Sequence, residues 1–229
     1  MQYIKGLDAF EGRNHTAVTL GKFDGLHRGH QKLLNRIIKY AQKEDCDSVV
    51  CAFDMDRDCL MTNEERRAFL EDKVDYLIEI PFTKELMEME AEKFIEEILH
   101  KKLHAAHIVV GTDFNFGHEK RGNHQMLEKY AAKYGYTVDV VEKAYYKDRE
   151  ISSTYIRELL LDGNVPLANE LLGYPYEITS VVEHGQQLGR TLGFPTMNIA
   201  WPKRKIIPPR GVYLCRAYMD GYGYNGIAN

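Results

Sequence analysis

Apolar residues along the first three quarters of the chain follow two alternating rhythms. Short, largely apolar runs at 17–20, 48–53, 76–80, 108–111 and 137–141 have the length and β-branched content of buried strands. Between them the spacing turns helical. Leu33, Leu34, Ile37, Ile38 and Ala41 share one face, as do Phe94, Ile95, Ile98 and Leu99 within 90–103, and 123–134 ends at Gly135. Thr62 with Glu65 three residues later forms a capping box that opens a helix through about Asp72. A helix from Ser153 carries Ile156, Leu159 and Leu160 on one side and stops at Gly163, and a shorter one follows Pro166 and ends near Gly173. Strand–helix alternation of this kind predicts a parallel sheet covered on both faces.

From Tyr174 the rhythm changes. Helical spacing disappears, Gly and Pro become frequent, and short β-rich runs appear at 178–182 and 211–215. The pattern predicts two domains, 1–172 and 173–229, the second too small to be more than marginal alone.

Composition narrows the class. A net charge of -4 with 28% charged residues excludes a surface coated in basic residues for nucleic acid, though a local cationic cluster for phosphate remains compatible. There is no long apolar run and no apolar N-terminal signal, so a cytoplasmic protein without a membrane segment is expected. Cys46, Cys51, Cys59 and Cys215 lack metal or disulfide spacing. His100, His104 and His107 recur at helical spacing without acidic or Cys partners and read as solvated. Lys203-Arg204-Lys205 reads as a short basic loop.

The chemistry concentrates at strand ends, where open parallel sheets bind ligands. After the first strand comes Gly21-Lys22-Phe23-Asp24-Gly25-Leu26-His27-Arg28-Gly29-His30. It combines glycines that admit a close ligand, two histidines three apart, and a helix N-terminus suited to phosphate. Val110-Gly111-Thr112-Asp113-Phe114-Asn115-Phe116-Gly117, with Arg121-Gly122, suits an aromatic ligand, although both Phe residues could equally fill core. Ser152-Ser153-Thr154, followed by Arg157, could bind phosphate or cap a helix.

Together these stretches resemble the nucleotidylyltransferase superfamily, and in order and detail the bacterial bifunctional riboflavin kinases/FAD synthetases. The resemblance implies an α/β fold: a Rossmann-like nucleotidylyltransferase domain followed by an incomplete small β-barrel domain. It implies transfer of AMP from ATP to FMN, giving FAD and pyrophosphate with Mg²⁺. By the same resemblance His27, His30 and Arg157 are catalytic, and Gly21, Phe23, Asp24, Gly29, Ser153 and Thr154 bind ATP, with Asp24 also a possible partner of the metal. Gly111, Asp113, Phe114, Phe116 and Arg121 would line the flavin or the adenine side. The tail stretch 189–198, with Gly211-Val212-Tyr213, resembles the start of a riboflavin kinase domain. It implies Thr196 and Asn198 as metal and nucleotide contacts and riboflavin as a further substrate.

Two departures stand out. The family's Phe-x-Pro-His-Pro is here Phe53-Asp54-Met55-Asp56-Arg57, a charged loop in place of a stiff one. The kinase-like segment is also shorter than in the family, so kinase activity is expected only from a longer form. Two alternatives remain open: a nucleotidylyltransferase acting on a non-flavin phosphate, and a non-catalytic flavin- or nucleotide-binding regulator. Oligomeric state is not readable from the sequence.

Overall fold

A computed structural model describes residues 1–12, 15–54, 57–185, 193 and 196–229. Its centre is a six-stranded sheet in the order β1-β4-β3-β2-β5-β8. The strands are β1 (Gln2–Lys5), β2 (Thr16–Gly21), β3 (Asp47–Asp54), β4 (Tyr76–Pro81), β5 (Ala105–Gly111) and β8 (Thr137–Val141). Every neighbouring pair is parallel. The chain runs from β2 outward to β3 and β4, then returns to add β5 on the other side of β2. The topological switch therefore falls between β2 and β5, and a crevice opens at their carboxyl ends.

Alternation along each strand feeds two separate cores. Val18, Leu20, Val49, Cys51, Ile78, Ile108 and Val110 pack on one face against Phe94, Ile95, Leu99 and Leu127. Ala17, Val50, Ala52, Leu77 and Val109 pack on the other against Leu34, Ile37 and Leu70. The helices supplying these layers are α1 (Arg28–Lys43), α2 (Asn63–Leu70) and α5 (His124–Tyr134). A short helix α3 (Lys84–Glu88) precedes α4 (Ala91–Lys93), which runs directly into a wider-wound stretch, Phe94–Lys102. There Leu103 N–H reaches Ile98 O at 2.8 Å, five residues back. The expected α spacing at 90–103 is thus realised largely with π-helical turns, which still bury Phe94, Ile95 and Leu99. The capping box of α2 is present in both directions, Thr62 accepting from Glu65 N–H and Glu65 from Thr62 N–H.

Two-residue ladders β6 (Asn115–Phe116) with β7 (Gly122–Asn123), and β9 (Tyr145–Tyr146) with β10 (Arg149–Glu150), shape the loops above the sheet. Helices α6 (Ser153–Leu161) and α7 (Val165–Leu172) form a third cluster with Leu60 and Ile206. Beyond them the described strands form two antiparallel pairs, β11 (Val182–Glu183) with β12 (Asn198–Ile199) and β13 (Tyr213–Met219) with β14 (Tyr222–Ala228), and Lys205 makes a parallel bridge with Cys59. The tail motif residues 189–192, 194 and 195 lie outside the described residues, as do Met55 and Asp56.

The tail is stitched to the sheet domain. Cys59 N–H donates to Arg204 O at 2.8 Å and Ile206 N–H to Cys59 O at 2.9 Å. Lys205 is buried and donates to Glu65, which also accepts from Thr179 N–H at 3.1 Å. The basic stretch 203–205 is a loop, as expected, but it is not wholly exposed. Its last lysine is a buried cation, because the Glu65 carboxylate is available to neutralise it. His107 is likewise not solvated. It lies in β5, stacked on Tyr40, with Thr137 and Glu44 each 2.8 Å from its ring nitrogens.

Candidate active site

The turn after β2 is wound tightly. Phe23 and Leu26 adopt left-handed φ of 47° and 37° around Gly25 at 81°. At Gly25 a Cβ would meet Leu60 Cδ1 at 2.9 Å, so glycine is required on both steric and conformational grounds. Two non-glycine residues in this region store strain that the surrounding packing sustains, as at many functional loops. Phe23 and Leu26 are wholly buried and act as its anchors.

This turn delivers His27 and His30 to the mouth of α1. Their rings stack at 3.7 Å between centroids and 23° between planes, with Phe23 tilted against His30 at 5.2 Å. The Nδ1 atom of each has no hydrogen-bond partner among the described residues. Burial pushes the His27 imidazole down to about 4. His30 is pushed well below its ordinary value by burial, then by His27 and Arg66. Both rings are therefore neutral at pH 7, able to donate one N–H each without carrying charge.

They open onto a cavity of about 770 Å³ over the β2/β5 switch. Its walls include Gly21, Phe23, His27, Gly29 and His30 from the first motif; Gly111, Asp113, Phe114 and Phe116 from the second; and Ser153 and Thr154 from the third. The N-termini of α1 and α6 both face it, and neither first turn carries an acid, so two helix ends are left open to an anion. Ser152 caps α6 by accepting from Tyr155 N–H at 3.2 Å. Phe116 is 7% exposed and packs on Phe94 and Phe114, so it is chiefly core with one edge in the wall.

Three expected site residues are placed otherwise. Asp24 is buried, its Oδ1 accepting from Leu60 N–H at 2.7 Å and its Oδ2 from Arg157 at 3.0 Å. Burial raises its pKa against the pull of Leu60 N–H and Arg157. Each of its oxygens thus has a donor from the protein, and it lines a smaller adjoining cavity, not the large one. Arg157 does not line the large cavity. Its guanidinium is held by Asp24 and by Asp58 O at 3.2 Å. Ser153 Oγ completes the clasp by donating to Asp24 O at 2.8 Å. Arg121 is also outside the cavity, paired on the surface with Glu119 at 2.5 Å and Glu90 at 3.8 Å. Thr196 and Asn198 are exposed on the tail and do not line this cavity.

The cavity also contains residues that sequence reading passed over. Lys143, bridging Asp113 at 3.0 Å and Glu150 at 2.7 Å, closes one wall, and Lys22, Arg57 and Lys120 contribute further cations. Two of them carried a sequence signal, Lys22 by its place within the first motif and Arg57 by its place in the altered charged loop. Among the described residues no cluster of three or more His, Cys, Asp or Glu could hold a metal ion.

Comparison with known proteins gives a consistent picture. The FAD synthetase family matches residues 10–155 and the riboflavin kinase family residues 172–229. Bifunctional riboflavin kinase/FMN adenylyltransferases of Buchnera aphidicola and Haemophilus influenzae are each 36% identical to this chain. The matches cover 93% and 100% of it and 72% and 78% of those proteins. A crystal structure described as a macrolide-efflux protein from Streptococcus pneumoniae superposes with a TM-score of 0.87 at 30% identity, covering 99% of this chain and 77% of that one. Among the described residues no helix is long and apolar enough to cross a membrane.

Proposed function

This chain belongs to the family of bacterial bifunctional riboflavin kinase/FMN adenylyltransferases, and from that premise we propose that its large cavity transfers AMP from ATP to FMN. An oxygen of the FMN phosphate attacks the α-phosphorus in line. The bond from that phosphorus to the bridging oxygen of the β-phosphate breaks, and pyrophosphate leaves. A phosphate monoester is already anionic at pH 7, so no base is required, and catalysis rests on placement and on stabilising charge.

The observation that carries this reading is the stacked, neutral imidazole pair at the open end of α1, facing Ser153 and Thr154 at the open end of α6. His27 and His30 donate N–H groups to the phosphates around the reacting centre. Thr154 and the open N-terminus of α6, which begins at Ser153, receive the departing pyrophosphate, while the Ser153 hydroxyl stays on Asp24 O. Arg157 acts one step back. It holds Asp24, and through it the turn that carries both histidines. Gly111, Asp113 and Phe114 line the side of the cavity away from β3.

Among the described residues no cluster of three or more His, Cys, Asp or Glu could hold a metal ion, so Mg²⁺ would arrive as part of the ATP complex, its charge carried by the phosphate oxygens. In the tail, Thr196 and Asn198 offer a hydroxyl and an amide oxygen, hard donors suited to a magnesium nucleotide in the kinase-like segment. The test is release of pyrophosphate from Mg·ATP with FMN, with riboflavin and with no acceptor. Release coupled to FAD appearance with FMN alone is expected. Release independent of acceptor, or none, would remove the assignment.

A further inference from the structure

A second cavity of about 370 Å³ adjoins the first on the β3 side of β2, away from the two helix ends. Lys22, Phe53 and Arg57 line both cavities and so form their junction. Lys22 and Arg57 have no ion-pair partner among the described residues. The smaller cavity is further lined by Arg66, and by Pro202 and Lys203 of the tail.

Arg66 is 5% exposed, and its Nε and Nη1 lack hydrogen-bond partners. Its nearest carboxylate oxygen, Glu79 Oε1, is 3.8 Å away. That one carboxylate also faces Arg67 at 3.1 Å and accepts from Tyr3 at 2.7 Å. Two guanidiniums therefore share one buried anion, and Glu65, next in sequence, is spent on Lys205. Of the four lining carboxylates, Asp24 is bound to Arg157 and Asp54 accepts from Asn63 at 3.3 Å, while Asp58 and Glu64 complete the set. The net positive field is felt by neighbours. Lys22 is held below its ordinary pKa by burial and then by Arg57 and Lys120, and Arg66 adds to the depression of His30. A buried excess of cations beneath a junction of unpaired ones calls for an anionic ligand.

We infer that Lys22 and Arg57 bind the phosphomonoester of the acceptor at the junction of the two cavities, over the Arg66 guanidinium, and so select a phosphorylated acceptor over its dephosphorylated form. This rests on the adenylyl-transfer reading and deepens it. A dianion held between an ammonium and a guanidinium is a charge-assisted contact at the side opposite the triphosphate. The charged replacement at position 57 is then what makes the departure in this loop functional: Arg57 supplies a donor where proline has none.

The test is equilibrium binding of FMN and of riboflavin to the full chain with α,β-methylene-ATP present, followed by flavin fluorescence. The unaltered chain is expected to prefer FMN by about tenfold or more. Lys22→Gln and Arg57→Gln should each remove most of that preference, with riboflavin and nucleotide affinities within about twofold. Retention of the preference in both variants would overturn the inference. So would loss of nucleotide affinity in place of FMN affinity, because the cations would then serve the triphosphate. If another phosphorylated acceptor, and not FMN, supports pyrophosphate release, the flavin reading falls. The same comparison with that acceptor and its dephosphorylated form then decides the subsite independently.

Discussion

At the residue scale the site is governed by burial. His27 is folded into the protein as a neutral ring, its pKa near 4 against 6.5 when unfolded. As pH falls below 6.5 the unfolded chain takes up the proton first. Stability is therefore intact at and above neutrality and drains between pH 6.5 and about 4. A gap of that width corresponds to about 3 kcal/mol. Urea denaturation of the ligand-free chain at pH 7 and pH 4.5 should show that loss, and His27→Gln should remove a large part of it. Equal pH dependence in both chains would contradict the burial argument. The Asp24–Arg157 clasp gives a second residue-scale prediction. Arg157→Gln leaves a buried carboxylate short of a partner and should cost about 2 kcal/mol in the absence of any ligand. An arginine reserved for pyrophosphate would leave ligand-free stability within about 0.5 kcal/mol of the unaltered chain.

At the element scale, the strands with largely apolar runs and the helices with clear caps were legible, because both faces of a parallel sheet must be filled and helix ends must be satisfied. β1 was not, since only Ile4 of its four residues is buried at the edge of the sheet. Nor could spacing distinguish α from π winding at 94–102, because either buries the same three side chains. Helix α2 illustrates what pattern reading does reach and what it does not. Its capping box was written in Thr62 and Glu65, but the partner that neutralises Glu65 lies 140 positions away. Lys205→Met should destabilise the chain by about 3 kcal/mol by stranding that carboxylate. Adding Glu65→Gln should recover part of the loss, giving a coupling above about 1 kcal/mol in a double-mutant cycle. Strict additivity would show that the tail is not anchored there.

At the scale of the whole molecule, the strand order brings motifs from three distant parts of the chain to one crevice. His27, His30, Gly111, Asp113, Ser153 and Thr154 meet over the β2/β5 switch, an arrangement that follows from the βα rhythm. Arg157, Asp24 and Arg121 depart from it because other charges hold them. Asp24 and Arg157 capture each other across 133 positions, and Arg121 is drawn to Glu119 two residues before it and to Glu90 across the fold. The tail, joined through Cys59, Glu65 and Tyr174, closes the β3 side of the same region.

The most direct test of the central claim is the steady-state rate of FAD formation from FMN and Mg·ATP by the unaltered chain and by His30→Gln. An imidazole whose contact strengthens as charge develops on the reacting phosphate predicts kcat lower by about a hundredfold or more, with KM for ATP within about threefold. A variant that loses ATP affinity and turnover in equal measure, or that makes FAD at the original rate, would contradict it.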